Sequence, residues 1–536
     1  GLNMIRKTGI QDFTKPGGQV AELEPADWMK LPAPYDQMDK PLKKLTEDQR
    51  KRMDATLDGV VAIGILPPSM PEEEKAFVDR FLAGVEKLFD AKDNWTFLQP
   101  LYHSLEYCVK CQICSDACPA YVASGRQDIY RPTMRPELLR RIISTYVKKE
   151  HPLLRKFKAS NIELNAQALI RLAELAYRCT LCRRCAQVCL LGCDNALISR
   201  EIRKIFSQQM GIAPKEVHEK GSVQQIKVGS STGMTPPALA DILEFTEEEI
   251  AEKTGKKIKI PVDKKGSDIL LLHNAGEFLA WPENLEAFAI LFDAAGIDWT
   301  LSSELVGYDA VNYGVWYDDV QFARVALRHA QAAKNLGVKR ISLGECGHAH
   351  KAMIVVADRV LTGELNIPRE SALPLMEKIV MSGRIKLDPG RNNFPVTLHD
   401  PCNMVRLMGI VEPQRRILRK IAPQFREMTP HGVENYCCGG GSGFAVISSN
   451  NFPDWRSSVS GRMKLKQTLD AFADAPSADV KKYVCAPCSN CKGQYRELFN
   501  TYGVWEKSGI FYGGLVELIV NAMADLKQPF IQWEWH

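Results

Sequence analysis

Hydrophobic residues follow two different patterns along the chain, and the change comes near Gly266. Before this point, apolar residues recur every three or four positions in segments such as 71–89 and 165–177, which is the spacing of amphipathic helices. After it, short apolar runs such as DILLLHN and RISLGEC alternate with amphipathic stretches, as in α/β units built on a mostly parallel sheet. The patterns predict the fold class α + α/β, with an all-helical part followed by an α/β part.

The α/β part of the sequence contains an internal repeat. PVTLHDPC resembles DILLLHNAG, which sets His399 opposite His273. KYVCAPCSNCKG resembles RISLGECGHAHKA, which sets Cys488 opposite Cys346. Two related halves are therefore expected to pack as a pseudo-symmetric pair.

These patterns divide the chain into six predicted regions. In order, they are an extended arm with one helix (1–90), a helical region (91–215), a polar linker (216–265), a first α/β repeat (266–390), a second α/β repeat (391–510) and a C-terminal helix with a tail (511–536). The arm has two open interpretations, a poorly ordered tail or a segment that orders on a partner subunit. For the apolar C-terminal region, core packing is favoured over a membrane or partner contact.

Charge and hydropathy exclude several classes of function. The 536 residues include 69 Lys and Arg against 64 Asp and Glu, a net charge of +5, which is too small for a dedicated nucleic-acid-binding protein. No apolar run approaches the ~18 residues of a transmembrane helix, and the first residues lack the pattern of a secretory signal. We expect a cytoplasmic protein with no nucleic-acid partner and no transmembrane helix, which could still be peripheral to a membrane.

The chain has sixteen cysteines, and in a reducing compartment metal binding explains them better than disulfides do. Eight of them form the spacing C-x2-C-x2-C-x3-C twice: Cys108, Cys111, Cys114 and Cys118, then Cys179, Cys182, Cys185 and Cys189. This spacing is typical of ferredoxin-type clusters, in which the fourth thiolate of each run binds the other cluster. We therefore predict two cubane [4Fe-4S] clusters, one on Cys108, Cys111, Cys114 and Cys189 and the other on Cys118, Cys179, Cys182 and Cys185.

Zinc is the competing interpretation of these eight cysteines, but zinc sites usually pair two C-x2-C units. One departure from the ferredoxin pattern is Leu190, which follows Cys189 where a proline is common. Cys193 is a ninth thiol, which we interpret as a buried small apolar residue and not as a ligand. Two clusters with every thiolate occupied form an electron relay, so the chemistry is expected elsewhere.

The C-terminal half supplies a second set of cysteines. They are Cys402 in LHDPCN, Cys437 and Cys438 in CCGGGSG, and Cys485, Cys488 and Cys491 in CAPCSNCKG. Adjacent cysteines can bind one metal centre only where the backbone is permissive, and the three glycines after Cys438 supply that freedom. The glycine run lacks the Lys-Ser/Thr of a P-loop, so it does not predict a nucleotide site.

The order DPC, then CCG, then a closing CxxC resembles the cysteine-rich CCG domain of heterodisulfide reductases. Two ferredoxin motifs followed by two CCG-type repeats, over about residues 95–510, is similar to the arrangement of heterodisulfide reductase D-like proteins. The resemblance implies that five cysteines of a CCG domain can bind a noncubane [4Fe-4S] cluster. The first repeat is degenerate, because Gly276, Asn312 and Tyr313 stand where cysteines would be, so one such cluster is implied and not two.

Carried over by position, the resemblance assigns Cys402, Cys437 and Cys438 to that cluster. The closing pair is either Cys485 with Cys488 or Cys488 with Cys491. The match of Cys488-Ser-Asn-Cys491-Lys to the family's CxxC-K pattern favours the second pair, and Cys485 is then a spare thiol.

The resemblance also implies a function and partners. It implies a catalytic subunit on the cytoplasmic face of the inner membrane that reduces a disulfide or trisulfide on a small sulfur carrier (DsrC-like) in sulfate or sulfite metabolism. It further implies a haem-b, quinone-reactive membrane subunit (DsrM-like). His348 and His350 are candidate proton donors for the leaving thiolate, with His399 and Arg406 as further candidates, and a core role is favoured for His399.

Two other functions remain open at the level of sequence. In one, the chain is an electron relay in a hydroxy-acid oxidase or an electron-bifurcating complex, where a flavin subunit performs the chemistry. In the other, four of the C-terminal cysteines close a structural zinc site.

Overall fold

The computed structural model describes residues 8–49, 57–60, 63–158, 160–305, 310–443 and 453–535, with residues 310–312 and 453 described by backbone alone. The side chain of Asn312, one of the positions that makes the first repeat degenerate, therefore lies outside the description. The chain divides into two compact units that are each discontinuous in sequence. The first unit comprises 1–217, 316–319 and 436–466, and the second comprises 218–315, 320–435 and 467–536.

The first unit is built of helices joined by loops. Its α-helices are Ile10–Thr14, Pro71–Leu88, Leu98–Glu106, Ile113–Ala117, Pro119–Ala123, Met134–Ile142, Pro152–Phe157, Ala166–Tyr177, Arg184–Gln187, Asn195–Lys204, Lys215–Val217 and Pro453–Trp455. The helix predicted over 71–89 is present as Pro71–Leu88, with Pro71 at its first position and three glutamates in its first turn. A proline and acidic residues both favour a helix N-terminus.

A buried network of charged side chains lies within the first unit. The carboxylate of Asp319 pairs with the guanidinium of Arg200 and with the Nζ of Lys204, which is 3.0 Å away. Burial raises the pKa of Asp319, but the two cations outweigh burial and hold that pKa well below its usual value. The residues 316–319 are thus tied into the first unit by ion pairs, although they come from the α/β part of the sequence.

The second unit contains two parallel four-stranded sheets. One consists of β1 (Ile269–Leu272), β2 (Trp299–Thr300), β3 (Arg340–Leu343) and β4 (Arg369–Ser371), in the order β2-β1-β3-β4. The other consists of β5 (Val396–Leu398), β6 (Phe425–Arg426), β7 (Lys482–Cys485) and β8 (Ile510–Gly513), in the order β6-β5-β7-β8. Every strand pair within them is parallel.

The two sheets share one topology, so the repeat seen in the sequence is also present in the fold. His273 directly follows β1, and His399 directly follows β5. Cys346 comes three residues after the end of β3, and Cys488 comes three residues after the end of β7. The carboxyl ends of parallel strands meet at one edge of a sheet, which is where ligand sites of α/β folds lie. The prediction of a helical part and α/β repeats with parallel sheets is confirmed at this level.

Helices cover the sheets of the second unit. They are Gln224–Val228, Pro236–Thr254, Ala275–Leu279, Pro282–Ala295, Gly347–His350, Ala372–Met381, Cys402–Val405, Glu412–Ile421, Ser489–Tyr502, Val504–Ser508 and Leu515–Asn521. Three more, Ala310–Tyr317, Asp319–Leu336 and Arg462–Ala471, contain residues of both units. Apolar residues from both repeats form one continuous buried core.

Two of the predicted regions differ from the structure. Residues 216–265 were expected to form a linker, but Leu239, Leu243 and Ile250 of the helix Pro236–Thr254 belong to the core of the second unit. The prediction failed because the polar face of this helix dominates the local composition. The C-terminal region, expected to begin as a helix at 511, begins with β8, so the second repeat extends to Gly513. Within the described ranges, no helix is long and apolar enough to cross a membrane.

Candidate metal centres

The eight ferredoxin-type cysteines line two cavities in the first unit. One cavity, the first centre, is lined by Cys108, Cys111, Cys114 and Cys189. The other, the second centre, is lined by Cys118, Cys179, Cys182 and Cys185. The grouping is crossed, since the last cysteine of each motif lies with the first three of the other.

The two cysteine loops share an unusual backbone feature. In each, the residues on both sides of the middle cysteine have positive φ: Lys110 and Gln112 around Cys111, and Leu181 and Arg183 around Cys182. Left-handed residues turn the chain sharply and cost about 1–2 kcal/mol each when they are not glycine. A conformation this costly, present twice, is consistent with loops shaped to direct three sulfur atoms at one point.

The cysteine side chains of these centres are placed to bind a metal cluster as thiolates. Burial raises the pKa of Cys114 to about 12, and the neighbouring Cys108 adds to the effect. Burial likewise raises the pKa of Cys118 to about 11. Sulfur atoms packed together in this way become thiolates when a cation displaces their protons. Four converging soft ligands therefore fit a [4Fe-4S] cluster in each cavity.

Hydrogen-bond donors also reach the sulfur atoms. The amide of Leu181 donates to Cys179 Sγ at 3.4 Å, and the amide of Cys193 donates to Cys189 Sγ at 3.4 Å. Cys193 itself is buried, and it also lines the first cavity. Its position beside Cys189 agrees with a packing role that also supplies a backbone donor.

The surroundings of the two centres differ. At the first centre, Cys111 is exposed, and it is surrounded by the exposed apolar side chains of Val109, Ile113, Leu190 and Leu191. We call these four residues the apolar rim. At the second centre, the cavity is lined by four arginines, Arg135, Arg178, Arg183 and Arg184.

The adjacent cysteines of the CCG motif lie in the first unit, beside the second centre. The Sγ of Cys437 is 3.5 Å from the hydroxyl of Thr180, which directly follows Cys179. The amide of Gly439 donates to Cys437 Sγ at 3.3 Å, and the amide of Gly440 donates to Cys438 Sγ at 3.5 Å. The glycine run therefore supplies backbone donors to both sulfur atoms.

Arg203 anchors this CCG loop, residues 436–443, to the second centre. Its guanidinium donates to the carbonyl of Cys179 at 2.6 Å and to Ser442 Oγ at 2.5 Å. The hydroxyl of Ser442 donates in turn to the Cys179 carbonyl at 3.0 Å. Arg203 could not be found from the sequence, since an arginine within a helix carries no motif.

Three of the remaining candidate cysteines gather at the sheet edge of the second unit. The amide of Gly347 donates to Cys488 Sγ at 3.3 Å. The α-carbon of Gly347 faces Cys488 Sγ and the side chains of Pro401 and Asn403, which flank Cys402. Cys491 lies in the first turn of the helix Ser489–Tyr502 that begins after Cys488.

Cys485 has a different environment from Cys488 and Cys491. It is the last residue of β7, and its carbonyl accepts a hydrogen bond from the amide of His399 at 2.8 Å. Its side chain belongs to the apolar core of the second unit, and burial raises the pKa of its thiol well above the usual value. Cys485 thus packs as an apolar residue.

In the degenerate repeat, Cys346 is held by neutral donors. Its Sγ accepts from Asn274 Nδ2 at 3.4 Å and from the amide of Ala349 at 3.5 Å. His273, the counterpart of His399, is fully buried, and burial lowers its pKa to about 3. These residues keep the shape of a site in which the cysteine positions near Cys346 have been replaced.

The candidate proton donors separate into two groups. The two ring nitrogens of His350 lie 2.7 Å from the Cys346 carbonyl and 2.7 Å from Ser371 Oγ, and burial lowers the pKa of His350 to about 4. Arg406 donates to the carbonyls of Val433 and Asn435. These hydrogen bonds give His350 and Arg406 structural roles.

His399 is the histidine placed next to a candidate ligand. One of its ring nitrogens lies within 4.8 Å of Cys491 Sγ, although the sequence favoured a core role for it. His348 is buried in the helix that follows Cys346. Geometry therefore favours His399 over His350 as a donor.

A buried cluster of charges adjoins Cys491. The Nζ of Lys492 is 2.6 Å from the carboxylate of Glu277 and 3.6 Å from that of Glu517. Burial alone would lower the pKa of Lys492, but these carboxylates raise it, so the ammonium stays charged. This cluster could not be predicted from the sequence, because its carboxylates come from distant segments.

Two family models match the chain at these sites. A 4Fe-4S dicluster domain matches residues 104–193, and a cysteine-rich domain, CCG, matches residues 396–496. The first match contains all eight cysteines of the two centres, and the second contains every candidate cysteine of the C-terminal half. The two matches support iron-sulfur clusters bound by these cysteines.

Iron-sulfur subunits of Hdr-like and heterodisulfide reductase complexes are similar to the chain over most of their length. The chain is 25% identical over 486 residues to the Hdr-like menaquinol oxidoreductase iron-sulfur subunit 2 of Archaeoglobus fulgidus, which covers 80% of this chain and 84% of that protein. It is 25% identical over 381 residues to a subunit of the dihydromethanophenazine:CoB--CoM heterodisulfide reductase of Methanosarcina acetivorans, which covers 70% of this chain and 86% of that protein. These relatives support an oxidoreductase subunit with iron-sulfur clusters.

Proposed function

We propose that the chain is the catalytic iron-sulfur subunit of a membrane-associated respiratory complex, similar to DsrK of the sulfate reducers. In this proposal, two cubane clusters pass electrons to a noncubane [4Fe-4S] cluster that reduces a disulfide or trisulfide. The observation that carries it is the position of Cys437 beside Thr180. A CCG loop packed against the second centre gives electrons a short path from a ferredoxin-type cluster to a CCG cysteine.

We assign the noncubane cluster to Cys402, Cys437, Cys438, Cys488 and Cys491. The permissive glycine loop, the backbone donors to three of these sulfur atoms and the placement of Cys485 in the core support this set. When bound, such a cluster supplies electrons one at a time at a position open to a substrate sulfur. Amide donors on its ligands stabilise the negative charge that reduction adds.

A trisulfide substrate takes four electrons and four protons and releases its middle sulfur as hydrogen sulfide, whereas for a disulfide the proposed reaction consumes two electrons and two protons. The sulfur-sulfur bond of the substrate breaks, and two thiols form. The electrons come from the cubane clusters, and each leaving thiolate takes one proton. His399, within 4.8 Å of Cys491 Sγ, and His348, in the short helix after Cys346, are the residues that we propose to hold and orient those protons.

We propose a small sulfur-carrier protein (DsrC-like) as substrate and a haem-b membrane subunit (DsrM-like) as electron partner. The relative in Archaeoglobus fulgidus is named a menaquinol oxidoreductase subunit, which supports a quinol-linked partner at the cytoplasmic face of the membrane. The apolar rim beside the exposed Cys111 is the surface that suits this partner, because solvent-exposed apolar patches commonly mark docking sites.

Turnover of a carrier-protein disulfide tests the proposal. The holoprotein, isolated with its membrane partner, is reduced by a viologen dye, and the release of thiols from the disulfide is measured. We expect Cys438→Ser to abolish thiol release while the spectra of both cubane clusters persist, and Cys193→Ser to leave thiol release intact. Unchanged thiol release in Cys438→Ser would overturn the proposed function. A wild-type protein that co-purifies with a flavoprotein and releases no thiols would also overturn it, and would favour the function of an electron relay.

A further inference from the structure

Arg135 is a buried cation at the wall of the second centre. It is the second residue of the helix Met134–Ile142, and only 4% of it is exposed. It lines the cavity together with Cys118, Cys179 and Cys182. Its charge lowers the pKa of the Cys118 thiol, although burial and the neighbouring thiols keep that pKa high.

Among the residues that the structure describes, no carboxylate forms an ion pair with the guanidinium of Arg135. Its buried Nε also has no hydrogen-bond partner within those residues. A buried cation without an anion is strongly unfavourable. The arrangement therefore points to an anion inside the cavity.

A [4Fe-4S] cluster held by four thiolates is such an anion. Its net charge is negative, and one-electron reduction makes it more negative. A cation at the cavity wall therefore stabilises the reduced form more than the oxidised form, which raises the reduction potential. The effect is large in a buried site, because solvent does not screen it.

Of the other three arginines at this centre, Arg184 donates to the carbonyl of Ala117 at 2.8 Å and lies over the ring of Tyr436, and the remaining two are neutralised. Arg178 makes two hydrogen bonds to the carboxylate of Asp58, at 2.5 and 2.8 Å. Arg183 pairs with Asp194 at 2.6 Å. Their charges are largely cancelled by these partners, whereas that of Arg135 is not.

Within the described part of the chain, the cations near the first centre are less buried than Arg135: Arg140, whose charge acts on Cys193, has a side chain that is 20% exposed and pairs with Glu137 at 3.3 Å. The charged side chain at the cavity of the first centre is Lys110, which is half exposed and lies 2.7 Å from the carboxylate of Glu137. The rest of its wall is largely the apolar rim. Solvent exposure near Cys111 partly stabilises a reduced first centre, but water screens charge at a surface far more than at a buried wall.

We propose that Arg135 is the counter-cation of the second centre and holds its reduction potential above that of the first centre. Electrons that enter at the exposed first centre then reside on the second, next to the CCG loop. This inference rests on the cluster assignment of the proposed function, and it adds the residue that directs electrons inward.

A redox titration of the holoprotein, monitored by EPR, tests this inference. Cys111→Ser changes a ligand of the first centre alone and so assigns the two signals. In the wild type, the second centre is expected to be reduced at the higher potential. Arg135→Gln should lower the midpoint potential of the second centre and leave that of the first unchanged, and Arg135→Lys should restore most of the difference. Lys110→Gln is the matched control, with no shift at the second centre.

Two results would overturn the inference. One is an Arg135→Gln protein that holds both clusters with unshifted potentials. The other is a wild type in which the first centre has the higher potential, which decides the matter even if Arg135→Gln fails to assemble. Neither result depends on thiol release, so a refuted role of Arg135 would not refute the proposed function. Conversely, a protein without the noncubane cluster would not refute the role of Arg135.

Discussion

The choice between Cys485 and Cys491 can be decided by replacing each with alanine. Cys485 lies in the core at the end of β7 and is fully buried. Alanine there removes one buried sulfur atom. Loss of a group the size of a methylene costs roughly 0.8 kcal/mol of transfer free energy, and the cavity adds to this, for a total of about 1–2 kcal/mol.

Cys491 is expected to behave differently. Its sulfur is proposed to bind iron, so Cys491→Ala should remove the noncubane cluster while both cubane clusters remain. Iron and sulfide contents are measured together with EPR spectra of the reduced and oxidised holoprotein, and chemical denaturation gives the free energy of unfolding. Full iron in Cys485→Ala with a stability loss of about 1–2 kcal/mol supports the assignment. Loss of iron in Cys485→Ala, with full iron in Cys491→Ala, would refute the reasoning.

Three further predictions concern the partner surface, a buried charge and pH. Leu190→Glu should weaken capture of the membrane partner at least tenfold in a pull-down, whereas Phe157→Glu, at an equally exposed position (both 89%), should not; equal capture would contradict the docking surface. Asp319→Asn leaves the buried cations Arg200 and Lys204 with Glu201 as their remaining anion, so one buried positive charge is no longer neutralised and the chain should be destabilised by about 3–5 kcal/mol in denaturant titrations; a loss below about 1 kcal/mol would contradict the network. Burial lowers the pKa of His329 to about 4, so stability should fall as pH drops from about 6.5 towards 4, because the unfolded chain binds the proton first. His329→Gln should flatten this dependence, and an identical pH profile in the variant would contradict it.

The ferredoxin-type centres could be predicted from the sequence because their ligands are local. Cys108, Cys111 and Cys114 lie within seven positions, so the loop between them determines where their sulfur atoms point. The crossing of Cys118 and Cys189 follows from the same motif. The positive φ of residues such as Gln112 could not be read from residue type, because no glycine marks it.

The electrostatic surroundings of the sites could not be predicted. Arg135, Arg203 and Lys492 are ordinary basic residues in the sequence, and only the fold shows that they are buried beside cysteines. The proximity of His399 to Cys491 also depended on tertiary structure, since a histidine after a buried strand is more often a core residue. The packing of the helix Pro236–Thr254 into the core was missed for a related reason, because its buried stripe is narrow and its composition is polar.

Quantification of iron, inorganic sulfide and zinc in the anaerobically isolated holoprotein tests the central claim most directly. We predict about twelve irons per chain and no zinc, with EPR signals from two cubane clusters and one further cluster. About eight irons with one zinc, or eight irons alone, would contradict the claim, because the C-terminal cysteines would then hold no iron-sulfur cluster.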